Sequence, residues 1–187
     1  IPQDHWIHNP DIGGGRIIGE VCHFVDTMIY LTGAYPVSVF AESISHTLEQ
    51  TTEQDTIVAT LKFTDGSIGT IEYFANGDTS IGKEYCEVFC ENKIAILNDF
   101  ETLTKVQNKK ADKIKLNGSK GHREEMKATL EMFREGKSPI TFNEIFSSTI
   151  TTFIFSTPIP PIIYLRVESP KTPASDLHPL ISALFGQ

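Results

Sequence analysis

Between residues 37 and 100 the sequence is a series of short runs rich in β-branched and aromatic residues. These runs are Val37 to Ser45, Thr56 to Phe63, Ser67 to Tyr73, Tyr85 to Cys90 and Lys93 to Leu97. Turn residues at Thr64-Asp65-Gly66 and Glu91-Asn92-Lys93 separate neighbouring runs, so they predict hairpins with antiparallel pairing. A lysine-rich alternation from Leu103 to Leu116 predicts an edge hairpin whose charges discourage aggregation. The chain is thereby restricted to folds that contain a mostly antiparallel sheet.

Helical periodicity flanks this β-rich region on both sides. The first helix is predicted from Arg16 to Thr32, after the triple glycine Gly13-Gly14-Gly15 and before Gly33. Its apolar residues recur at helical spacing: Ile18, Val21, Val25, Met28 and Ile29. A second helix is predicted from Gly121 to Glu135, and a third from Glu144 to about Phe153 with Asn143 as its N-cap. Sheet and helices together predict the α+β class.

Size and charge exclude several classes of protein. The 187 residues, 40% apolar, are enough for one substantial core, so we expect one domain. The net charge of −8 and the absence of a long Lys/Arg cluster argue against nucleic acid and anionic membranes as partners. No apolar run approaches the ~20 residues of a membrane span.

The cysteine and histidine positions argue against structural metal or disulfide sites. Cys22, Cys86 and Cys90 form an odd set without C-x-x-C spacing, which predicts a reducing cytoplasm. The histidines outside the first helix also lack metal-ligand spacing, so no metal is predicted: His5, His8, His46, His122 and His178.

The end of the chain differs from the rest in composition. Six of the ten prolines lie between Pro158 and Pro179, and no periodicity persists there. We therefore predict two regions, residues 1–153 as the folded domain and 154–187 as a Pro-rich, atypical tail. The tail is either an extension that wraps the surface or a non-native ending, for example after a change of reading frame.

The first helix carries the chemically most versatile residues. Arg16, Glu20, His23 and Thr27 share one stripe at spacings of three and four, with Asp26 and Tyr30 beside it. Because an imidazole titrates near neutral pH, His23 is the predicted proton carrier, and Glu20 or Asp26 can orient its ring. The alternative is a structural histidine on a helix whose charges are simply solvated.

Three further side chains are candidate substrate ligands. Arg16 can grip a carboxylate or a sugar-nucleotide phosphate, although a solvated helix-start charge is an equal alternative. Trp6 and Tyr73 can stack on a sugar ring, although lone aromatic residues near a sheet more often belong to the core.

The stretch from Gly13 to Asp26, a glycine run leading into a helix with His-x-x-Asp, resembles the signature helix of the Gfo/Idh/MocA oxidoreductase family. It is similar in particular to the branch found in bi-domain oxidoreductases of polysaccharide biosynthesis. Further matching stretches lie at residues 4–10, 73–78 and 83–89, and the resemblance covers about Ile1 to Phe153.

The resemblance implies a protein with an N-terminal Rossmann domain for NAD or NADP. The α+β domain that follows has an open sheet with helices packed on one face, as in the C-terminal domain of glyceraldehyde-3-phosphate dehydrogenase. By the same resemblance, this second domain is expected to bind a sugar, sugar-nucleotide or polyol substrate and to form a homodimer or higher homo-oligomer through the sheet. The sequence lacks an initiator Met and any strand-Gly-x-Gly-x-x-Gly-helix unit. We therefore expect only the second domain here, inactive by itself.

Individual roles also follow from the resemblance. His23 matches the family histidine that exchanges a proton with the substrate hydroxyl. Asp26 matches the acid three residues later, with a structural or orienting role, and Asp26 and Lys83 are both substrate-binding candidates. The chain departs from the family pattern at Gly19, where many members have an aspartate, and at Val21, where many have a glycine. Glu20 is displaced by one position from the family aspartate, so its catalytic role is a separate hypothesis.

Two functions from other classes stay open at this point. The domain can act as a non-catalytic dimerisation or binding module. It can also be a cofactor-independent sugar-binding or isomerising protein in which His23 and Glu20 form an acid–base pair.

Overall fold

The computed structural model describes residues 5–9, 11–44, 56–75, 77–116, 121–155 and 163–164. It divides into two compact units. The first unit comprises the described residues of Ile1–Gly77 and Ile140–His178, and the second comprises those of Asp78–Pro139 and Pro179–Gln187.

Helices and strands occur as an α+β protein requires. The helices are α1 (Cys22–Thr32), α2 (His122–Glu135) and α3 (Phe142–Phe155). The strands are β1 (Pro36–Ser43), β2 (Thr56–Phe63), β3 (Ile68–Phe74), β4 (Tyr85–Cys90), β5 (Lys93–Asn98), β6 (Thr102–Gln107), β7 (Lys110–Lys115) and β8 (Ile163–Tyr164). The predicted class and each predicted strand are confirmed, and the lysine-rich segment forms the hairpin β6–β7.

The described strands form two four-stranded antiparallel sheets. The first sheet has the order β3-β2-β1-β8, and the second is a meander in the order β4-β5-β6-β7. After β3, the described residues 75 and 77–84 are rich in glycine and polar residues, and none of them lies in a strand. Such residues favour turns over continued strand pairing.

One face of the first sheet carries the core of the first unit. Strand β2 alternates, with four apolar side chains buried and the intervening ones turned outward. The buried set is Ile57, Ala59, Leu61 and Phe63, and helical residues Ile17, Val21, Val25 and Ile29 pack against it. Helix α3 contacts both α1 and β1. The prediction of helices packed on one face of a sheet is thus confirmed for this unit.

The predicted first helix begins with an irregular turn. Ile17–Val21 is π-helical, and the regular α-helix begins at Cys22. Gly19 lies inside this turn, and glycine weakens a regular helix by roughly 0.5–1 kcal/mol relative to alanine. A π turn closes each hydrogen bond over one more residue than an α turn does. The uniform helical spacing used to relate Glu20 to His23 is therefore wrong across this turn.

The glycine run before this turn folds against a short 3₁₀ turn at Trp6–His8. A Cβ atom on Gly13 would lie 2.6 Å from the Ile7 Cα, so only glycine permits this approach. Gly14 and Gly15 have φ angles of 69° and 89°, in the left-handed region that glycine favours. The amide of Gly15 donates to the Ile7 carbonyl at 3.1 Å.

Helix α3 differs from its prediction at both ends. It begins at Phe142, and Thr141, not Asn143, provides the cap, because the Thr141 hydroxyl accepts the Glu144 N–H at 3.2 Å. The described part of the helix runs through Phe155, past the predicted Phe153. Of the predicted tail after this helix, only Ile163–Tyr164 is described, and it pairs with β1. Its remaining residues lie outside the described ranges, so the proposed division at residue 153 stays a prediction.

The second unit is a hairpin meander with helix α2. Successive residues with positive φ occupy its reversals, at Glu91–Asn92, Asp99–Phe100 and Asn108–Lys109. Paired positive φ angles give the reversal a twist that matches the strands. Helix α2 has no buried residue, and its apolar side chains at Met126, Leu130 and Phe133 are exposed.

Candidate active site

Arg16 and Tyr73, two predicted substrate ligands, are in contact in the structure. The Arg16 guanidinium carbon lies 5.5 Å from the centre of the Tyr73 ring. Tyr73 lies on β3, and its ring is tilted against Phe24 of α1 with the ring centres 6.4 Å apart. A cation over an aromatic face is stabilised by about 0.5–1 kcal/mol at an exposed site. The stack therefore fixes a positive charge beside the beginning of the first helix.

The Arg16 side chain still has hydrogen-bonding capacity. Its Nε atom is buried, and it has no hydrogen-bond partner among the described residues. A guanidinium has five N–H donors in a planar fork, which suits phosphate and carboxylate groups. Arg16 is therefore oriented by Tyr73, and its guanidinium stays a candidate anion-binding group.

His23 and Asp26 lie one turn apart on α1, and both side chains are exposed. Although Asp26 as a whole is exposed, partial burial of its carboxyl group raises its pKa. The negative charge of Glu144 raises that pKa further, and His23 lowers it. These opposing effects show that the imidazole and both carboxylates share one local electrostatic environment.

Glu144 was not predicted as a site residue. The sequence contains a signal for its position, since Thr141-x-x-Glu144 is the spacing of a capping box at the beginning of a helix. That signal gives no information about the helix that lies opposite. Only the packing of α3 against α1 brings Glu144 near Asp26.

Glu20 is half-buried in the π-helical turn, close to the Cys22 thiol. Burial is the main cause that raises the pKa of Cys22, and the charges of Asp26 and Glu20 raise it further. A Cβ atom added to Gly19 would meet no heavy atom within 4 Å. The position where the resemblance leads us to expect an aspartate is therefore open here, and the role of Glu20 stays a prediction.

No contact of Trp6 or Thr27 with the His23 side chain is seen in the described structure. Trp6 is exposed, and its ring centre lies 5.5 Å from that of His5. Thr27 donates its hydroxyl to the His23 carbonyl at 2.7 Å, so it serves the helix itself. Lys83 is exposed in the second unit, and its predicted contact with substrate stays a prediction.

The site therefore provides a titratable imidazole, nearby carboxylates and an oriented guanidinium. Among the residues that the structure describes, no three His, Cys, Asp or Glu side chains are grouped as a metal site requires. Within the same ranges, no helix combines the length and apolar character needed to cross a membrane. The groups present suit proton transfer and anion binding.

Comparison with protein families identifies a match over the first half of the chain. The sequence profile described as the GFO/IDH/MocA C-terminal domain matches residues 1–96. A comparison with curated proteins gave no match.

Three solved structures with the same fold are named as a dehydrogenase or an oxidoreductase. UDP-N-acetylglucosamine 3-dehydrogenase GnnA from Acidithiobacillus ferrooxidans has a TM-score of 0.65 and 14% identity, over 79% of this chain and 48% of its own. The aldose-aldose oxidoreductase from Caulobacter crescentus, complexed with glycerol, has a TM-score of 0.65 and 13% identity, over 83% and 48%. WlbA dehydrogenase from Bordetella pertussis, in complex with NADH and UDP-GlcNAcA, has a TM-score of 0.55 and 21% identity, over 90% and 52%. The chain thus spans about half the length of these proteins.

Proposed function

The chain belongs to the GFO/IDH/MocA oxidoreductase family through that family's C-terminal domain, and we propose that it supplies the substrate-binding, proton-transferring half of an NAD- or NADP-dependent enzyme. The proposed substrate is a hydroxyl or carbonyl group of a sugar, sugar nucleotide or polyol. Two structural neighbours support a sugar nucleotide, because GnnA is a UDP-N-acetylglucosamine 3-dehydrogenase and the structure of WlbA contains UDP-GlcNAcA.

The observation that carries this proposal is the placement of His23. Its exposed imidazole lies on α1 in the same electrostatic environment as Asp26, and the π-helical turn before α1 begins next to Arg16, which stacks on Tyr73. In the proposed reaction His23 takes the proton of the substrate hydroxyl on oxidation and returns it on reduction. Asp26 orients the imidazole, and Arg16 binds an anionic group such as the diphosphate of a sugar nucleotide.

The nicotinamide cofactor does not fit the described part of this chain. All described strand pairs are antiparallel, whereas the dinucleotide-binding crevice of a Rossmann domain is built from parallel strands. We therefore place NAD or NADP in a Rossmann domain of the full-length protein. That cofactor supplies the hydride chemistry, and this chain supplies orientation and the proton.

The test is His23→Ala in the full-length protein. Because general acid–base assistance is typically worth ~10²–10⁴ in rate, we expect turnover to fall by that factor while cofactor affinity stays nearly unchanged. The matched control is His122→Ala, which removes an exposed helical histidine from the second unit and should leave turnover unchanged. Equal losses in turnover and cofactor affinity, or equal effects of the two substitutions, would contradict the proposal.

We also propose that the first sheet forms the contact between copies of this chain. Its face opposite the helices is partly apolar and exposes Phe40, Val58, Ile68 and Phe74. Strand register places these side chains on one face, since Phe40 is opposite Thr60 and Val58 is opposite Glu72. Exposed apolar groups on one sheet face are typical of an interaction surface.

Sedimentation analysis of Phe74→Lys tests this interface. We expect the substitution to weaken self-association, because it places a charge in an apolar contact. Phe89→Lys, on the second sheet, is the control and should leave the oligomeric state unchanged. The proposal fails if both variants behave as the wild type does.

The three cysteines are free, which is consistent with the cytoplasmic location that we propose.

A further inference from the structure

Arg16 carries a positive charge that no carboxylate neutralises among the described residues. Its guanidinium is stacked on Tyr73, and no described carboxylate forms an ion pair with it. Yet the unit is acidic, and Lys62 is its one other lysine or arginine among the described residues. The described carboxylates of this unit belong to Asp11, Glu20, Asp26, Glu42, Asp65, Glu72 and Glu144. An arginine that stays unpaired among these acids is available to a ligand with negative charge.

The Arg16 side chain is held at both ends. The amide of Gly15, directly before it, donates to the Ile7 carbonyl at 3.1 Å, and Ile17, directly after it, is buried in the core. At the far end, the guanidinium carbon lies 5.5 Å from the centre of the Tyr73 ring. Nε is the one Arg16 nitrogen that is buried, so the two terminal nitrogen atoms can meet a ligand from solvent. A side chain fixed before the ligand arrives loses less entropy on binding.

Tyr73 is itself held by the sheet and the core. It is paired with Ile57 of β2, and its side chain packs against the core cluster of the first unit. Its ring centre lies 6.4 Å from that of Phe24, the residue directly after His23 on α1. The direction of the stack is therefore set by the fold. The ring face that Arg16 covers is not available to a sugar ring, so we assign this face a role other than sugar stacking.

We propose that Tyr73 is a positioning residue for Arg16, and that Arg16 selects a substrate with a phosphate or carboxylate group over a neutral sugar or polyol. This inference rests on the proposed function and narrows its substrate class. An oxyanion accepts charge-assisted hydrogen bonds from the accessible terminal nitrogen atoms of the guanidinium. A neutral hydroxyl accepts weaker hydrogen bonds and leaves the positive charge without a counter-ion.

The direct test follows the side-chain Nε–Hε resonance of Arg16 by NMR, assigned by its loss in Arg16→Lys. This chain is titrated with inorganic pyrophosphate, with glucuronate and with neutral N-acetylglucosamine, and sodium chloride at matched ionic strength is the control. We expect a saturable shift with pyrophosphate or glucuronate and none with N-acetylglucosamine. The anion that binds more tightly identifies phosphate or carboxylate as the preferred group. No shift with either anion, or an equal shift with chloride, overturns the inference.

Two substitutions of Tyr73 test the positioning role. Tyr73→Leu removes the aromatic face and keeps an apolar side chain against the core, whereas Tyr73→Phe keeps the ring. From the usual strength of a cation–π contact, we expect Tyr73→Leu to weaken anion binding about two- to fivefold and Tyr73→Phe to leave it nearly unchanged. Lys62→Gln, which removes an exposed positive charge from β2, should also leave it nearly unchanged. Unchanged affinity in Tyr73→Leu, or equal losses in the two Tyr73 variants, contradicts the positioning role.

Failure of this inference and failure of the proposed function give different results in the full-length protein. There, Tyr73→Leu should raise KM for an anionic substrate with little change in kcat, because it weakens binding and leaves His23 in place. If His23→Ala loses turnover but Arg16 does not respond to anions, the inference fails alone. If Arg16 responds to anions but His23→Ala keeps full activity, the proposed function fails and the anion-binding role of Arg16 remains.

Discussion

The two compact units bury their apolar side chains to very different extents. In the first unit a continuous cluster joins α1, the three long strands of the first sheet and the end of α3. Among the described residues of the second unit, Ala95 is the one buried apolar side chain. Phe89, Met126, Leu130 and Phe133 of that unit are all more than half exposed.

This difference shows where the chain can hold a precise site. Catalytic groups need support from side chains that are themselves fixed by packing. His23 and Asp26 lie on a helix whose opposite side is anchored by Val25 and Ile29, both nearly inaccessible to solvent. Helix α2 is amphipathic too, but no residue of it is buried. Amphipathic spacing alone therefore does not distinguish a supported helix from an unsupported one.

Leucine-to-alanine substitutions in the two units should give the largest contrast in stability. Leu61 is fully buried in the first unit, so Leu61→Ala should lower the free energy of unfolding by about 2–5 kcal/mol. Leu130 is 54% exposed, so Leu130→Ala should change the free energy of unfolding by less than about 0.5 kcal/mol. Urea unfolding followed by circular dichroism measures both. Comparable losses would mean that α2 packs in solution as firmly as the first unit does.

Glycine substitutions should give a smaller contrast. Gly13→Ala places a methyl group 2.6 Å from the Ile7 Cα, and such overpacking typically costs about 1–3 kcal/mol. The matched control in the second unit is Gly82→Ala, whose Cβ would lie 3.5 Å from Asn98 Oδ1, an ordinary contact. Thermal unfolding of the two variants should therefore show a lowered Tm for the first only. A normal Tm for Gly13→Ala would show that the glycine run does not pack against the 3₁₀ turn.

The smallest contrast is in the pH dependence of stability. Burial, and then Glu144, raise the pKa of Asp26 above 3.8, whereas hydrogen bonds from Ser80 lower the pKa of Asp78. The stabilising contribution of Asp26 is present below its unfolded-state pKa and is lost as the pH rises through its folded-state pKa. The contribution of Asp78 is present above its unfolded-state pKa and is lost as the pH falls through its folded-state pKa.

Asparagine substitutions at these two positions should therefore act in opposite directions. As the pH rises from about 3 to about 7, the unfolding midpoint of Asp26→Asn should rise relative to that of the wild type. Over the same range, the midpoint of Asp78→Asn should fall relative to that of the wild type. Urea titrations at several pH values, read from amide resonances of each unit, measure both trends. Parallel trends would contradict the assigned environments.

Local patterns were sufficient to predict most of the fold. The bounds of β2 and β4 match the predicted strands, because turn residues interrupt the alternation on both sides. The α+β class and the apolar stripe of the first helix follow from the same periodicity. The N-cap of α3 was missed because Thr141 and Asn143 are both good capping residues, and only the hydrogen bonds distinguish them.

The candidate site was less predictable because its contacts join distant parts of the chain. Spacing placed His23 and Asp26 on one helix, and the structure adds the stack of Arg16 on Tyr73. The effect of the Glu144 charge on the pKa of Asp26 depends on how α3 packs against α1, which no local pattern encodes. The π-helical turn at Gly19 likewise changes the angular relation of Glu20 to His23, which spacing on a regular helix does not reveal.

Calorimetric titration of this chain with NADH, and in parallel with NADPH, is the most direct test of the account. It measures whether the dinucleotide-binding site lies outside this chain, as we propose. The antiparallel pairing of the described strands predicts no detectable heat of binding for either nucleotide. Saturable binding in the micromolar range would contradict the account, because the cofactor site would then lie within this chain.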